Sequence, residues 1–252
     1  MQIDLRHKVI LFTGATGGIG ETSVRFLARY GATIAVHYHR QADTARILAR
    51  AIGNDSRAFG ADLSSPVEAE RLFRQVQTVY RRIHVLVNNA GSYEPSPMSR
   101  RLPSWLSDWN RTMSINLTSA AVLCRCAIAH FHRRGGGRII QVASRAALRG
   151  DTEDYLAYAA AKGGMVAMSK TIARAFGKHN IQSFVIAPGY VRTRMTQAYI
   201  RKKGERTILN ELALNKITDP GDVAPTIVFL ASGLMDHATG STIDINAGSY
   251  IR

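Results

Sequence analysis

Tyr158 and Lys162 stand four residues apart in Tyr158-Ala-Ala-Ala-Lys162, and Ser144 lies fourteen positions before the tyrosine (158 − 144). On a helix, four residues is one turn and a little more, so a phenol and an ammonium at that spacing project from one face and can couple electrostatically. A phenol protonates an oxyanion readily, but its ordinary pKa of about 10 makes it a poor base at neutral pH, and a neighbouring cation favours the phenolate at about 1.4 kcal/mol per pKa unit. A serine hydroxyl beside the phenol can hold the reacting oxygen in place. This is the chemistry of interconverting a ketone and a secondary alcohol. A Tyr-x-x-x-Lys pair alone is far more often a solvated helix face or a snorkelling lysine, and what makes it specific is the company of Ser144 and of the glycine-rich opening Thr13-Gly-Ala-Thr-Gly-Gly-Ile-Gly20.

The apolar run that ends at Thr13 reads as a buried strand delivering the chain into a tight turn. Gly14, Gly18 and Gly20 leave room there for backbone N–H groups and a helix N-terminus to approach a pyrophosphate, with Thr16 and Ile19 between them. It is not a Walker loop, because no Gly-Lys-Ser/Thr follows. An acid at the end of the second strand would bind a ribose 2′-hydroxyl and repel a 2′-phosphate. That place holds Tyr38, followed by His39 and Arg40. With no acid and a cation adjacent, NADP(H) is favoured and NAD(H) is the alternative. Asp43, the rival acid, reads better as the N-cap of the next helix.

Further strands are expected near residues 33–38, 56–61, 83–87, 137–143, 182–187 and 241–246, alternating with helices near 19–30, 42–52, 66–80, 108–133 and 155–177. Ser65-Pro66-Val67-Glu68 is a capping box, and Gly135-Gly-Gly137 stops the longest helix. After Val191 the pattern loosens until Asp219-Pro-Gly-Asp-Val, where Asp222 is expected to cap a helix with Pro225 in its first turn. The alternation implies an α/β chain, one domain over residues 1–252, built on a doubly wound, mostly parallel seven-stranded sheet of the Rossmann type. Gly14, Asn88, Ser144 and Pro188 all fall at strand ends, where such sheets bind ligands.

Taken in order, Thr13 to Gly20, Asp62-Leu63, Asn88-Asn-Ala-Gly91, Asn116, Ser144, Tyr158 with Lys162, Pro188-Gly189 with Thr193, and Asp219-Pro-Gly-Asp-Val resemble the short-chain dehydrogenase/reductase family over nearly the whole chain. The resemblance implies that Asn116, Ser144, Tyr158 and Lys162 form a catalytic tetrad, Asn116 joining Lys162 to water. It implies that Asp62 and Leu63 flank an adenine and that Asn88, Ala90 and Gly91 support the central strand and the cofactor. Pro188, Gly189, Val191 and Thr193 complete the cofactor set with Tyr158 and Lys162, Thr193 meeting the nicotinamide amide. The interval from Ser144 to Tyr158 is one residue longer than is usual in the family, which puts the shape of the intervening loop in question.

Within that family the chain is most similar to 3-oxoacyl-carrier-protein and acetoacetyl-CoA reductases, so a carbonyl substrate, free or thioester-linked to coenzyme A or acyl carrier protein, is expected. Substrate choice is expected to rest on residues 190–216, which carry Arg192, Arg194, Arg201, Lys202, Lys203, Arg206 and Lys216 against Glu205 and Glu211. Arg133, Arg134, Arg174 and Lys178 could extend a basic dock, although a solvated charged loop gives the same pattern. Alternatives are a sugar, polyol or other secondary-alcohol dehydrogenase and, in another class, a non-catalytic protein that senses a dinucleotide. The family implies a homodimer or homotetramer.

The 252 residues carry a net charge of +15, but the arginines are dispersed rather than gathered in a stripe, so no nucleic-acid partner is expected. Cys124 and Cys126, the two cysteines, would point about 200° apart on a helix and should not bridge. The eight histidines lack metal-ligand spacing, so no metal is expected. No apolar run approaches the roughly 18 residues of a membrane span, and the first residues lack the apolar core of a secretory signal, so the expected address is the cytoplasm.

Overall fold

The computed structural model describes residues 2–251, apart from the side chains of Met195, Ala198 and Lys202. Seven strands, β1 (Val9–Phe12), β2 (Thr33–Tyr38), β3 (Arg57–Gly60), β4 (Val85–Asn88), β5 (Gly137–Val142), β6 (Ile181–Pro188) and β7 (Thr242–Ile245), make one sheet. Its order is β3-β2-β1-β4-β5-β6-β7 and every neighbouring pair is parallel. The helices are α1 (Gly18–Arg29), α2 (Ala42–Ile52), α3 (Pro66–Tyr80), α4 (Leu102–Met113), α5 (Ser119–Arg133), α6 (Ala146–Arg149), α7 (Leu156–Phe176), α8 (Arg194–Lys203), α9 (Glu205–Leu209) and α10 (Pro220–Ser232). Strand order reverses between β1 and β4, which opens a crevice at their carboxyl ends.

The period-two alternation of the strands divides the core. Ile10 and Phe12 of β1 pack into a layer with Val24 and Leu27 of α1 and with Ile227 and Val228 of α10. Leu11, between them, packs into the opposite layer with Leu72 and Phe73 of α3, Leu123 and Phe131 of α5 and Ile172 of α7. Both faces of the sheet are therefore covered, as near-continuous apolar strands require. The fold matches the expected Rossmann-like α/β class.

Local signals behaved unequally. Ser65 caps α3, its Oγ accepting from Glu68 N–H at 3.4 Å with Pro66 behind it, but the Glu68 carboxylate turns to Arg71 (2.8 Å) instead of closing the box. Asp43 does not cap α2: Gln41 holds that place, and Asp43 lies in the first turn paired with Arg46 at 3.0 Å, where a carboxylate still meets the positive helix end. Asp222 is not the cap of α10 either. Asp219 is, with Asp222 Oδ2 accepting from the Asp219 N–H at 2.8 Å. Pro225 therefore sits inside the helix, where the carbonyl it deprives belongs to exposed Gly221 and can turn to water.

The long helix begins at Leu102 rather than near residue 108, because Pro103 is accommodated in its first turn. It runs through a π-turn at Ser114–Thr118 into α5. Leu102–Arg133 is long and apolar enough to cross a membrane, with a mean hydropathy of 1.3 in its best window; in the fold its α5 half packs on the sheet and on α3. Cys124 and Cys126 are both free, and Cys124 Sγ accepts from Gln141 Nε2 at 3.1 Å inside the core.

Candidate active site

The glycine turn is held from two sides. Gly14 takes φ +64°, and its N–H donates to His37 Nδ1 at 3.0 Å, while the Ala15 N–H donates to the His37 carbonyl at 3.0 Å. From the other side Asn89 Nδ2 donates to the carbonyls of Thr13 and Gly14, both at 3.0 Å, and Thr13 Oγ1 accepts from the N–H groups of Asn89 (2.9 Å) and Ala90 (3.0 Å). A Cβ on Gly14 would stand 2.8 Å from Ala90 Cα, and one on Gly20 would strike the Gly14 carbonyl oxygen. The turn is thus packed to backbone contact, while a Cβ on Gly17 would meet nothing.

Across the crevice, Asn116 occupies the π-turn between α4 and α5, a helical irregularity common at functional sites. Its Nδ2 donates to the carbonyls of Thr112 (3.0 Å) and Ser92 (3.1 Å), and its Oδ1 accepts from Ser92 N–H at 3.2 Å. Buried Lys162, on α7, donates from Nζ to the Val142 carbonyl at 2.9 Å, tying the helix to the end of β5. Gly91 lets chain and ammonium pass, since a Cβ there would lie 2.7 Å from Asn116 Oδ1 and 3.5 Å from Lys162 Nζ. Ser144, just beyond β5, accepts the Ala146 N–H at 3.1 Å and hydrogen-bonds Tyr158.

Burial pushes the two titratable groups in opposite directions. The Tyr158 phenol rises to about 12, desolvation outweighing the Ser144 hydrogen bond that lowers it. The Lys162 ammonium falls to about 8 by desolvation. Its Nζ lies 5.7 Å from the centroid of the Tyr158 ring.

One cavity of about 300 Å³ joins these parts. Gly14, Thr16, Gly18 and Ile19 line one wall, Ala90, Gly91 and Asn116 the back, Ser144, Tyr158 and Lys162 the floor, and Pro188, Gly189, Val191 and Thr193 the far side. Asn89, Val142, Ala143, Arg194 and Thr196 line it as well; of these the sequence had placed Asn89 within the Asn88–Gly91 motif and Arg194 in the substrate-choosing segment, and had not picked out Val142, Ala143 or Thr196. Gly20 lies behind the turn. Asn88 does not reach the cavity: its Nδ2 donates to Gln141 Oε1 at 3.0 Å in the core between β4 and β5.

Residues at the end of β2 and β3 stand apart from that cavity. The Tyr38 ring lies over Gly60, where a Cβ would come within 2.9 Å of Cζ and Oη, and it faces a groove with Phe59, Arg71 and Arg74. His39 Nε2 is 3.6 Å from Asp62 Oδ2, both half exposed, and Arg40 is exposed beside them. Hydrogen bonds from Ser64 hold the Asp62 carboxyl below its usual range, with His39 and Arg111 adding charge. Leu63 is buried.

A smaller pocket of about 70 Å³ opens from Ser144 and Tyr158 on the other side, lined by Tyr93, Arg145, Arg149, Asp151, Tyr190 and Tyr199. Tyr93 stacks on Tyr155 at 3.9 Å and meets Tyr158 edge-on at 4.8 Å. Tyr190 and Tyr199 stack at 5.7 Å. Ser144 and Tyr158 apart, none of these was chosen from the sequence, because a single aromatic or arginine has no spacing signature until the fold gathers it. The expected loose segment 190–216 contains α8 and α9, and much of its charge is satisfied locally: Arg192 with Glu205 (2.7 Å), Lys203 with Glu211 (2.5 Å) and Lys216 with Asp219 (3.3 Å). Arg194 leans on the Thr16 carbonyl at 3.4 Å, and the side chain of Lys202 lies outside the described residues.

The family model described as enoyl-(acyl carrier protein) reductase matches residues 14–249. Nodulation protein G of Rhizobium sp. (strain N33) is 31% identical over 97% of this chain and 98% of its own length. The 3-oxoacyl-(acyl-carrier-protein) reductase FabG of Vibrio cholerae is 28% identical over 99% of this chain and 100% of its own. A crystal structure of a dehydrogenase/reductase from Sinorhizobium meliloti 1021 superposes with a TM-score of 0.90 at 26% identity, covering 99% of this chain and 98% of that one. The chain belongs to the short-chain dehydrogenase/reductase family and is an NAD(P)-dependent oxidoreductase.

Proposed function

We propose that this enzyme reduces the 3-oxo group of an acyl thioester to the 3-hydroxy product with NADPH. The observation that carries the reading is the single cavity in which the glycine turn meets Asn116, Ser144, Tyr158 and Lys162. The relatives named 3-oxoacyl-(acyl-carrier-protein) reductase support the substrate class. A nicotinamide dinucleotide fits the residues present: the Gly14 and Gly18 positions take positive φ and reject a Cβ, and Gly17 offers open backbone at the start of α1. The residues that would hold it are Gly14, Thr16, Gly18 and Ile19 at the phosphates, Ala90 and Gly91 along the crevice, and Pro188, Gly189, Val191 and Thr193 at the far end. The absence of an acid at Tyr38, with His39 and Arg40 exposed beyond it, supports NADPH over NADH. When bound, the cofactor supplies the hydride.

The protein's own part is to place and protonate an oxygen. Ser144 hydrogen-bonds the substrate carbonyl and holds it against Tyr158. The Tyr158 phenol, kept protonated by burial, gives its proton to the developing alkoxide. Lys162, anchored at the Val142 carbonyl and lowered towards neutrality, takes part in reprotonation, and Asn116 shapes the adjoining helix and the route to water. We further propose a cytoplasmic dimer or tetramer assembled through α4–α5 and α7, where Leu102, Leu106 and Leu156 are exposed.

The test is steady-state reduction of acetoacetyl-CoA followed by cofactor absorbance, with NADPH and NADH in parallel and Tyr158→Phe as control. NADPH-dependent turnover that vanishes in the variant supports the reading. NADPH binding without turnover of this thioester or any other ketone refutes it and leaves the dinucleotide-sensing class. A second substrate reading, a small secondary alcohol or sugar, draws on the tight polar pocket beside Ser144, and turnover of those compounds alone would favour it.

A further inference from the structure

The residue after Ser144 is a buried arginine whose charge is only partly matched. Only 8% of the Arg145 side chain is exposed. Its Cζ lies 4.0 Å over the Tyr190 ring, and its Nη2 reaches Glu211 Oε2 only at 3.5 Å, an ion pair stretched to the edge of hydrogen-bonding range. Nη1 is buried with no hydrogen-bond partner among the described residues. Glu211 is itself shared: Lys203 Nζ takes Oε1, and Arg149 stands 3.7 Å from Oε2. Three cations thus converge on one carboxylate, which lies behind the pocket rather than in its lining, and Asp151, which faces the Tyr93 hydroxyl at 3.3 Å, is the one acid among the described residues that line the pocket.

A guanidinium cannot shed its charge, so a buried donor of this kind is stable only if something supplies an acceptor. The backbone fixes where that acceptor must lie. The Arg145 N–H donates to the Pro188 carbonyl at 2.9 Å, which seats the residue between the ends of β5 and β6, and Arg145 lines the small pocket together with Ser144 and Tyr158. The pocket of about 70 Å³ accepts a few atoms beyond a carbonyl held by the serine and the phenol, and no more.

We propose that Arg145 reads a second oxygen of the substrate, a carboxyl-derived oxygen two carbons from the ketone. The inference rests on the ketone-reducing reading above and narrows it to 1,3-dicarbonyl compounds. The shared chemistry is an acceptor at C1, whether the carbonyl of a thioester or the carboxylate of a free 3-oxo acid. Tyr190 holds the guanidinium plane, Glu211 keeps its contact with Nη2, and the substrate oxygen supplies the acceptor that Nη1 lacks. Arg145 then acts by contact with substrate rather than on proton transfer.

The experiment compares three ketones with NADPH and the intact enzyme: an acetoacetyl N-acetylcysteamine thioester, acetoacetate, and 2-pentanone, which lacks the C1 oxygen. The variants are Arg145→Gln and Arg145→Lys, with NADPH fluorescence titration showing that each still folds and binds dinucleotide. The wild-type enzyme should prefer the dicarbonyl compounds by about a hundredfold or more in kcat/KM, and Arg145→Gln should cut that ratio at least about tenfold, chiefly through KM. Arg145→Lys should recover part of it. Acetoacetate favoured over the thioester would identify the free acid as the source, and the reverse the thioester.

A ratio unchanged in Arg145→Gln, or a wild-type enzyme indifferent to the C1 oxygen, overturns the inference while leaving ketone reduction intact. If no ketone is reduced, the ketone-reducing reading fails. The inference is then decided by calorimetric titration of 3-hydroxybutyrate into the NADP+-loaded enzyme. Binding weakened at least about tenfold by Arg145→Gln sustains the C1 contact, whereas no binding, or equal binding in both proteins, removes it.

Discussion

His37→Leu tests whether the glycine turn depends on a buried imidazole. His37 is 2% exposed on β2. Its Nδ1 accepts the Gly14 N–H at 3.0 Å, which fixes the ring proton on Nε2, and Nε2 then donates to the Ala61 carbonyl at 3.1 Å. One ring therefore links the turn, β2 and the exit of β3. Leucine fills similar space but strands a donor and an acceptor. Two unpaired backbone groups at about 1–3 kcal/mol each, reduced because half-buried Gly14 can turn to water, give a stability loss of about 3 kcal/mol.

The same change unpins the first amide of the turn. NADPH affinity should fall at least about tenfold, or about 1.4 kcal/mol. The urea midpoint measures the first effect and NADPH fluorescence titration the second. His37→Asn, which carries an acceptor on a shorter side chain, should fall between the two. NADPH affinity within twofold of wild type, together with a stability loss under about 1 kcal/mol, would refute the clamp.

Acid sensitivity follows from the same ring. Burial lowers His37 from 6.5 to about 4, so the unfolded chain takes up its proton first; stability is complete above about pH 6.5, declines as pH falls, and loses up to about 3 kcal/mol by pH 4 from this group. His84, also lowered to about 4 while accepting the Val9 N–H at 3.0 Å, acts in the same direction. Melting temperature against pH should show this fall, shallower in His37→Leu. Gly20→Ala drives a methyl into the Gly14 carbonyl oxygen and should cost about 3 kcal/mol and most of the dinucleotide affinity, read by the same two titrations. Tyr158→Phe should lower kcat about a hundredfold to ten-thousandfold with NADPH affinity within twofold. With NADPH as the varied substrate, kcat/KM should descend above pH about 8 as Lys162 deprotonates, and Lys162→Arg should carry that limb upward; a profile flat to pH 10 would contradict the role of the ammonium.

Most of the sheet was readable because β1, β4 and β6 are apolar runs that end at Thr13-Gly14, Asn88 and Pro188, and parallel strands buried on both faces leave that mark. Helix starts were less so. Asp43, Asp219 and Asp222 are all competent caps by residue type, and which one serves depends on how the segment before the helix is held, by β2 for α2 and by the Val191–Thr218 bridge for α10, a tertiary fact. The nucleotide turn and the Ser144, Tyr158 and Lys162 set were legible because backbone geometry imposes fixed spacing on them. Arg145, Tyr93 and Tyr190 were not, since they meet only where the ends of β4, β5 and β6 converge. His37 was invisible for a different reason. As one residue of an apolar strand it looks like an imperfection in the pattern, and only the Gly14 N–H pointing at its Nδ1 gives it a task.

The relation between Tyr158 and Lys162 shows where spacing alone misleads. Four residues on a helix suggests that the cation draws the phenol pKa down, yet the phenol stands at about 12 and the ammonium at about 8. The lysine spends its donor on the Val142 carbonyl, and both groups are moved by the loss of water. A phenol so placed is fully protonated at neutral pH and ready to donate, which suits the reductive direction. The oxidative direction needs a phenolate, so it requires charge that burial does not provide. The positively charged ring of an oxidised nicotinamide is such a charge, and the enzyme's preference between directions should therefore track the cofactor's redox state more closely than the Tyr-to-Lys spacing.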